Sequence, residues 1–229
     1  MIEVTVIIPC GGWHSRYVND AVQSCLQADP PPTKIIVVDD GSVPPVRLGR
    51  HPLVELLCLP THSGRSAARN LAVELATTDW LYFLDSDDFL EPTAIADFQA
   101  IAEARPCDLV YADYDYLTAT SERVRVGKAP WVFMPTDCRN LVNIGLFVKR
   151  ERFRLVGGFD EDMAIGEYWD FFLRYTANKA VKVVKHNRPF FVARQSSSVN
   201  PKAQPLMEQA SLKIAAMIRG QYYHRWKNL

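Results

Sequence analysis

Four short apolar runs, each closing on a polar turn, constrain this chain more than any other feature of its sequence. They occupy residues 4–9, 34–39, 53–59 and 80–84, and Val and Ile dominate the first two. Continuous β-branched runs of this length belong to strands buried on both faces, which need helices above and below them. The sequence supplies helical stripes between the runs. Tyr17, Val18, Ala21, Val22, Cys25 and Leu26 recur at helical spacing within residues 16–28, and a second helix is expected over 64–76 with Ser63 as its cap. Pro92 opens a third helix and residues 108–112 form a further strand. This alternation predicts an α/β fold with a mostly parallel central sheet flanked by helices. The later part is less regular, with strands at 146–149, 181–184 and 190–193, a helix at 167–177 and another from Pro205 onward.

With 48% hydrophobic and 23% charged residues, a chain of 229 residues buries a core without disulfide staples. Lysine plus arginine and aspartate plus glutamate both number 26, so no overall field recruits nucleic acid. The five cysteines are odd in number, widely spaced and free of CxxC pairs, as expected for reduced thiols. No run approaches the ~20 apolar residues that span a bilayer, and no leader pattern opens the chain. A cytoplasmic location is the expectation.

Open parallel sheets take ligands at the carboxyl ends of their strands. Two acidic clusters fall there: Asp39-Asp40-Gly41-Ser42 and Asp85-Ser86-Asp87-Asp88. The first is equally explained as a turn whose side chains satisfy loose backbone donors. The second places three carboxylates within four residues, which repel one another unless a cation or solvent compensates them. Asp85 and Asp87, two apart, can face one site together. Their hard oxygens suit Mn2+ or Mg2+ shared with substrate phosphates. Arg65 and Arg69 lie one helical turn apart on one face. A cation in the first turn opposes the helix dipole, which an anion such as a diphosphate would compensate; a pair of surface arginines is the other reading.

The segments 4–9, 35–42, 64–70, 80–88 and 156–161, with the stretch from Glu167 to Arg174, resemble in order the inverting glycosyltransferases of family 2, which have the GT-A fold. The resemblance implies a nucleotide-sugar-binding half over residues 1–113 and an acceptor half over 114–203, together a GT-A domain at 1–203, with a C-terminal helical extension at 204–229. It implies a UDP-sugar donor, with Pro9, Asp39 and Asp40 at the nucleotide and Asp40 toward a uracil N–H. Asp85-Ser86-Asp87 matches the DxD motif of the family, with Asp87 the more direct metal ligand and Asp85 beside it. Asn70 is expected to buttress the strand-end loops.

The family pattern is broken where the catalytic base is expected. An inverting transferase needs a group that takes the proton of the acceptor hydroxyl. Registered on Asp170 and Arg174, the segment Gly166-Glu167-Tyr168-Trp169-Asp170 puts Tyr168 in the position of the usual aspartate. A tyrosine, with a reference pKa of ~10, is a poor base at neutral pH. Glu167 is the favoured replacement and Asp170 the second candidate; loss of catalysis with binding retained is the third reading. Gln195 stands where many relatives carry a histidine, so phosphate contacts would pass to Arg194 or the serines after it. His186 reads as structural, and His14, His51, His62 and His224 share no spacing and receive no chemistry.

Trp131, Tyr168 and Trp169 are candidates for stacking on an acceptor sugar or base. The C-terminal segment carries Lys213, Arg219, Arg225 and Lys227 against Glu208 alone. It would pack on the domain, touch an anionic membrane peripherally, or contact nucleic acid, in that order. The expected function is transfer of a sugar from a UDP-sugar to a hydroxyl of a glycan or glycolipid. The alternatives are transfer to a modified base in DNA and a non-catalytic nucleotide-sugar-binding domain. A metal-dependent nucleotidyltransferase would show a glycine-rich basic loop, which Pro9-Cys10-Gly11-Gly12-Trp13 matches poorly.

Overall fold

The computed structural model describes residues 1–118, 120–128, 130, 144–163 and 165–194. In chain order the first half runs β1 (Val4–Cys10), α1 (Val18–Leu26), β2 (Lys34–Asp39), β3 (Val54–Cys58), α2 (Arg65–Leu75), β4 (Trp80–Phe83), β5 (Phe89–Leu90), α3 (Ala94–Ala104) and β6 (Leu109–Ala112). The second half adds β7 (Tyr114–Leu117), β8 (Arg123–Val126), β9 (Leu146–Lys149), α4 (Arg150–Leu155), α5 (Glu167–Thr176), β10 (Val183–His186) and β11 (Phe191–Arg194).

Seven strands form the main sheet in the order β10-β6-β9-β4-β1-β2-β3. All neighbours pair in parallel except β9, which runs antiparallel between β4 and β6. Side chains two apart on a strand share a face. Val4, Val6 and Ile8 of β1 pack with Ile35 and Val37 of β2 against Val18, Ala21 and Cys25 of α1 and Phe98 of α3. Ile7, Ile36, Val38, Leu81 and Phe83 turn to the opposite face and meet Ala68 and Ala72 of α2, Phe153 of α4 and Phe171 of α5. Each large apolar side chain buried in these layers contributes about 1.5–3 kcal/mol, so the two-sided burial of β1 and β2 fixes the register of the sheet. The one polar side chain of β1, Thr5, bonds Thr78 across the second layer at 2.7 Å.

From β1 the chain builds outward through β2 to β3, then returns to place β4 on the other side of β1. That reversal opens a crevice at the carboxyl ends of β1, β2 and β4, the usual ligand position in an open α/β sheet.

Three features depart from expectation. A second sheet, β5-β11-β7-β8, flanks the first. Its strands hold two to four residues each, too few for an alternating pattern to stand out. Helix α4 buries only Phe153, so it has no apolar stripe to reveal it. Ser63 does not cap α2: Gly64 holds the cap position without a side-chain bond, and the Ser63 hydroxyl turns back to the Thr61 carbonyl at 3.4 Å. Among the described residues no helix is long and apolar enough to cross a membrane. Trp131 and the C-terminal extension lie outside the described residues.

Candidate active site

A cavity of about 460 Å³ occupies the crevice. Pro9 at the end of β1, Asp40 after β2, Arg65 and Arg69 of α2, and Asp85, Ser86 and Asp87 after β4 all line it. The strand ends converge because parallel pairing brings every carboxyl end to one edge of the sheet.

The two aspartates after β2 divide their work. Asp39 accepts the backbone N–H groups of Ser42 at 3.0 Å and Val46 at 2.8 Å, and so closes its own turn. Asp40 reaches across to the start of α2. One of its oxygens accepts Ser63 N–H at 2.6 Å, and the other accepts Gly64 N–H at 2.9 Å and lies 2.7 Å from His62 Nδ1. A carboxylate beside a helix N-terminus complements the dipole, and Asp40 ties down the two residues that lead into α2. Gly41 makes the approach possible: at φ +70°, a Cβ there would lie 2.6 Å from the backbone nitrogen of His62.

Arg65 and Arg69 find their anion within the protein. Arg65 Nε lies 2.6 Å from Glu167 Oε1, and its Nη2 donates to Oε2 at 3.0 Å. Arg69 Nη1 donates to the same Oε1 at 3.1 Å, while its Nη2 donates to Asp85 at 2.6 Å. Arg69 is 1% exposed and Glu167 3%, so a buried chain of charge runs from α5 through α2 to the end of β4. Two guanidiniums on one carboxylate leave an incoming hydroxyl few free lone pairs on Glu167.

Tyr168 explains how Arg69 tolerates burial. Its ring covers the guanidinium at 4.5 Å, with Phe159 at 5.4 Å. The Tyr168 hydroxyl is buried without a partner, and burial foremost pushes the phenol well above its usual 10. Tyr168 and Trp169 belong to the core on the α5 face of the sheet, with Trp169 stacked on Phe172. Neither is among the residues lining the cavity. Asp170 is fully buried and accepts from Arg174 Nε at 2.9 Å, again outside that lining, and Glu167 itself lies behind Arg65 and Arg69 rather than on the lining. Asn70 braces not a strand-end loop but the loop between α4 and α5, exchanging two 2.9 Å bonds with the Phe159 backbone.

The acidic run carries more negative charge than its partners balance. Burial raises the Asp85 carboxyl above its ordinary range against the pull of Arg69 and Arg65, and Asp87 adds to the rise. Burial, then Asp85 and Asp87, push Asp88 well above the same range. Asp88 accepts the Arg194 N–H at 3.0 Å, and the Arg194 side chain bonds the Asp87 carbonyl at 3.2 Å and Asp20 at 2.8 Å. Among the described residues no three His, Cys, Asp or Glu side chains are arranged to hold a metal ion by themselves. Two carboxylates on the cavity wall nevertheless fit a hard cation that takes its remaining ligands from phosphate and water.

The sequence reading passed over His14 and His62, and the structure puts both on the cavity wall. His14 Nδ1 lies 2.9 Å from Asp87 Oδ2. Each histidine follows the last residue of a parallel strand, Cys10 or Cys58, by four positions. The offset depends on strand ends that the sequence places at Pro9 and Leu59, so the sequence carries no shared spacing for the two histidines. Glu161, which closes the segment 156–161, and Met163 also line the cavity, though neither was a candidate site residue.

Comparison with known proteins bears on the family and the fold. The model of glycosyl transferase family 2 matches residues 5–158. The chain is 32% identical over 152 residues to the pre-mycofactocin glycosyltransferase of Mycobacterium tuberculosis, covering 58% of this chain and 32% of that protein. It is 34% identical over 123 residues to the PGL/p-HBAD biosynthesis glycosyltransferase of Mycobacterium bovis, covering 53% and 47%. The chain therefore spans about a third to a half of the length of these curated relatives. Among solved structures, S. aureus TarS 1-349 superposes with a TM-score of 0.66 at 16% identity, over 93% of this chain and 65% of that one. The α/β architecture is thus of the GT-A type. With the match extending over more than half of its length and enclosing both acidic strand ends, the chain belongs to glycosyl transferase family 2.

Proposed function

We propose that the protein transfers a sugar from a UDP-sugar, with inversion, to a hydroxyl of a glycan or glycolipid. The observation that carries this reading is the convergence of Asp40, Arg65, Arg69, Asp85 and Asp87 on one cavity at the reversal point of the sheet. The TarS structures include complexes with UDP and with UDP-GlcNAc, which supports the same donor class.

In this reading the nucleoside lies toward Asp40 and His62, and the diphosphate lies between the arginines and the acidic run. Asp87 and Asp85 would hold Mn2+ or Mg2+, which supplies Lewis-acid neutralisation of the leaving diphosphate. Inversion needs a single in-line displacement, with the acceptor hydroxyl losing its proton to a base opposite the leaving group. Glu167 is the proposed base. Its cover is asymmetric: Arg69 is buried, whereas the Arg65 side chain is 49% exposed. An incoming diphosphate competes with Glu167 for Arg65 and uncovers Oε2.

The same grip favours one other reading, a domain that binds nucleotide sugars without transferring them. A screen of nucleotide sugars with Mn2+, scored by thermal shift and by slow donor hydrolysis, separates the two. A shift accompanied by hydrolysis supports the transferase. A shift without turnover, even with added glycan acceptors, supports the binding domain. No shift with any donor overturns both.

A further inference from the structure

We infer that His14 is a nitrogen ligand of the divalent ion, bound side by side with Asp87. The inference rests on the donor site described above and adds to it a residue from the loop after β1. His14 Nδ1 and Asp87 Oδ2 are 2.9 Å apart on the cavity wall. Two ligand atoms bound at right angles to one ion, each by a bond of about 2.1 Å, stand about 3 Å apart. The pair already has the spacing of neighbouring ligands.

The loop is shaped to keep it there. Gly11 lies against Asp40, its Cβ position 3.4 Å from the Asp40 carbonyl oxygen, so the chain leaves β1 close beside β2. Residues Gly12–Tyr17 then coil into a 3₁₀ turn. The Trp13 ring lies 4.1 Å from the imidazole, and Arg16 covers Trp13 at 4.6 Å. These contacts set the ring facing Asp87. No other polar bond to His14 competes among those of the described residues, and the His14 side chain is 40% exposed.

As a ligand, His14 would offer an unprotonated Nδ1 to the ion, with the ring proton on Nε2. An imidazole ligand also changes the ion preferred. Carboxylate and phosphate oxygens alone suit Mg2+, whereas a nitrogen donor favours the later first-row metals. The site therefore favours Co2+ over Mg2+ through His14.

The test uses the whole chain with UDP and Mn2+, read by pulsed electron paramagnetic resonance for a directly bound nitrogen. The wild type shows the 14N coupling, and His14→Gln, which keeps a polar side chain beside Asp87, loses it. In the same variant Co2+ binding to the UDP complex weakens at least about tenfold, while Mg2+ binding changes by less than about threefold. Mn2+ bound with UDP but without nitrogen coupling overturns the inference and leaves the donor site standing. Equal losses for Co2+ and Mg2+ also overturn it, since they make His14 a support for Asp87 instead of a ligand. If wild-type protein binds no Mn2+ with UDP, the donor reading itself fails, and this inference with it.

Discussion

Arg69 donates to Asp85 at 2.6 Å from a side chain that is 1% exposed, so the start of the acidic run is fixed by a buried cation on α2. The other side of the same guanidinium holds Glu167 at 3.1 Å. One arginine thus ties the end of β4 to the first turn of α5. It also sets the distance between the proposed metal site and the proposed base.

Removing that arginine leaves Asp85 without its guanidinium and Glu167 with Arg65 alone. Breaking a buried ion pair from one side costs about 3–5 kcal/mol, because the remaining charge stays desolvated. Arg69→Met is expected to lower stability toward the bottom of that range in urea unfolding, since Arg65 still faces Glu167. Adding Glu167→Gln to Arg69→Met should recover about 1 kcal/mol by removing one incompletely paired charge. A loss below about 1 kcal/mol for Arg69→Met alone would show that the chain of charge does not organise the site.

Glu167 separates binding from chemistry. If it takes the acceptor proton, Glu167→Gln should reduce transfer by at least about 10²-fold while UDP affinity is kept or rises, since the competitor for Arg65 is gone. Steady-state kinetics paired with calorimetric UDP titration checks both arms. Unchanged turnover moves the base elsewhere, and a parallel fall in UDP affinity makes Glu167 a structural partner of the arginines.

The fold could be read from the sequence wherever burial was two-sided. β1 and β2 are recognisable because Val4–Cys10 and Lys34–Asp39 are packed on both faces and keep no solvent side. β8, with Arg123 to Val126 largely exposed, offered no such signal. The acidic strand ends were visible for the same reason, as polar breaks after apolar runs. Their partners were not. Glu167 meets Arg65 and Arg69 across about 100 positions, and His14 meets Asp87 across 73. Contacts of that separation are set by topology and leave no local pattern. Asp40 shows the limit on roles: its place after an apolar run is visible in the sequence, but its bonds to Ser63 and Gly64 follow from where α2 begins.

His186 gives a pH signature outside the cavity. Burial foremost, against the attraction of Asp97, holds its imidazole below the usual 6.5, and the ring stacks on Phe190. The folded state therefore prefers neutral His186. The stability it supplies is complete above pH 6.5 and is lost as pH falls through its lower folded value. Urea unfolding across that interval should give a shallower acid-side loss for His186→Gln than for wild type. Equal slopes would assign the acid sensitivity to other groups.

The central claim is that Asp87 and its neighbours form the metal end of a nucleoside-diphosphate site, and a thermal shift tests it most directly. UDP with Mn2+ should raise the melting temperature of the wild type, neither component alone should match the pair, and Asp87→Asn should abolish most of the rise. No rise with UDP or any other nucleoside diphosphate, or an undiminished rise in Asp87→Asn, would contradict it.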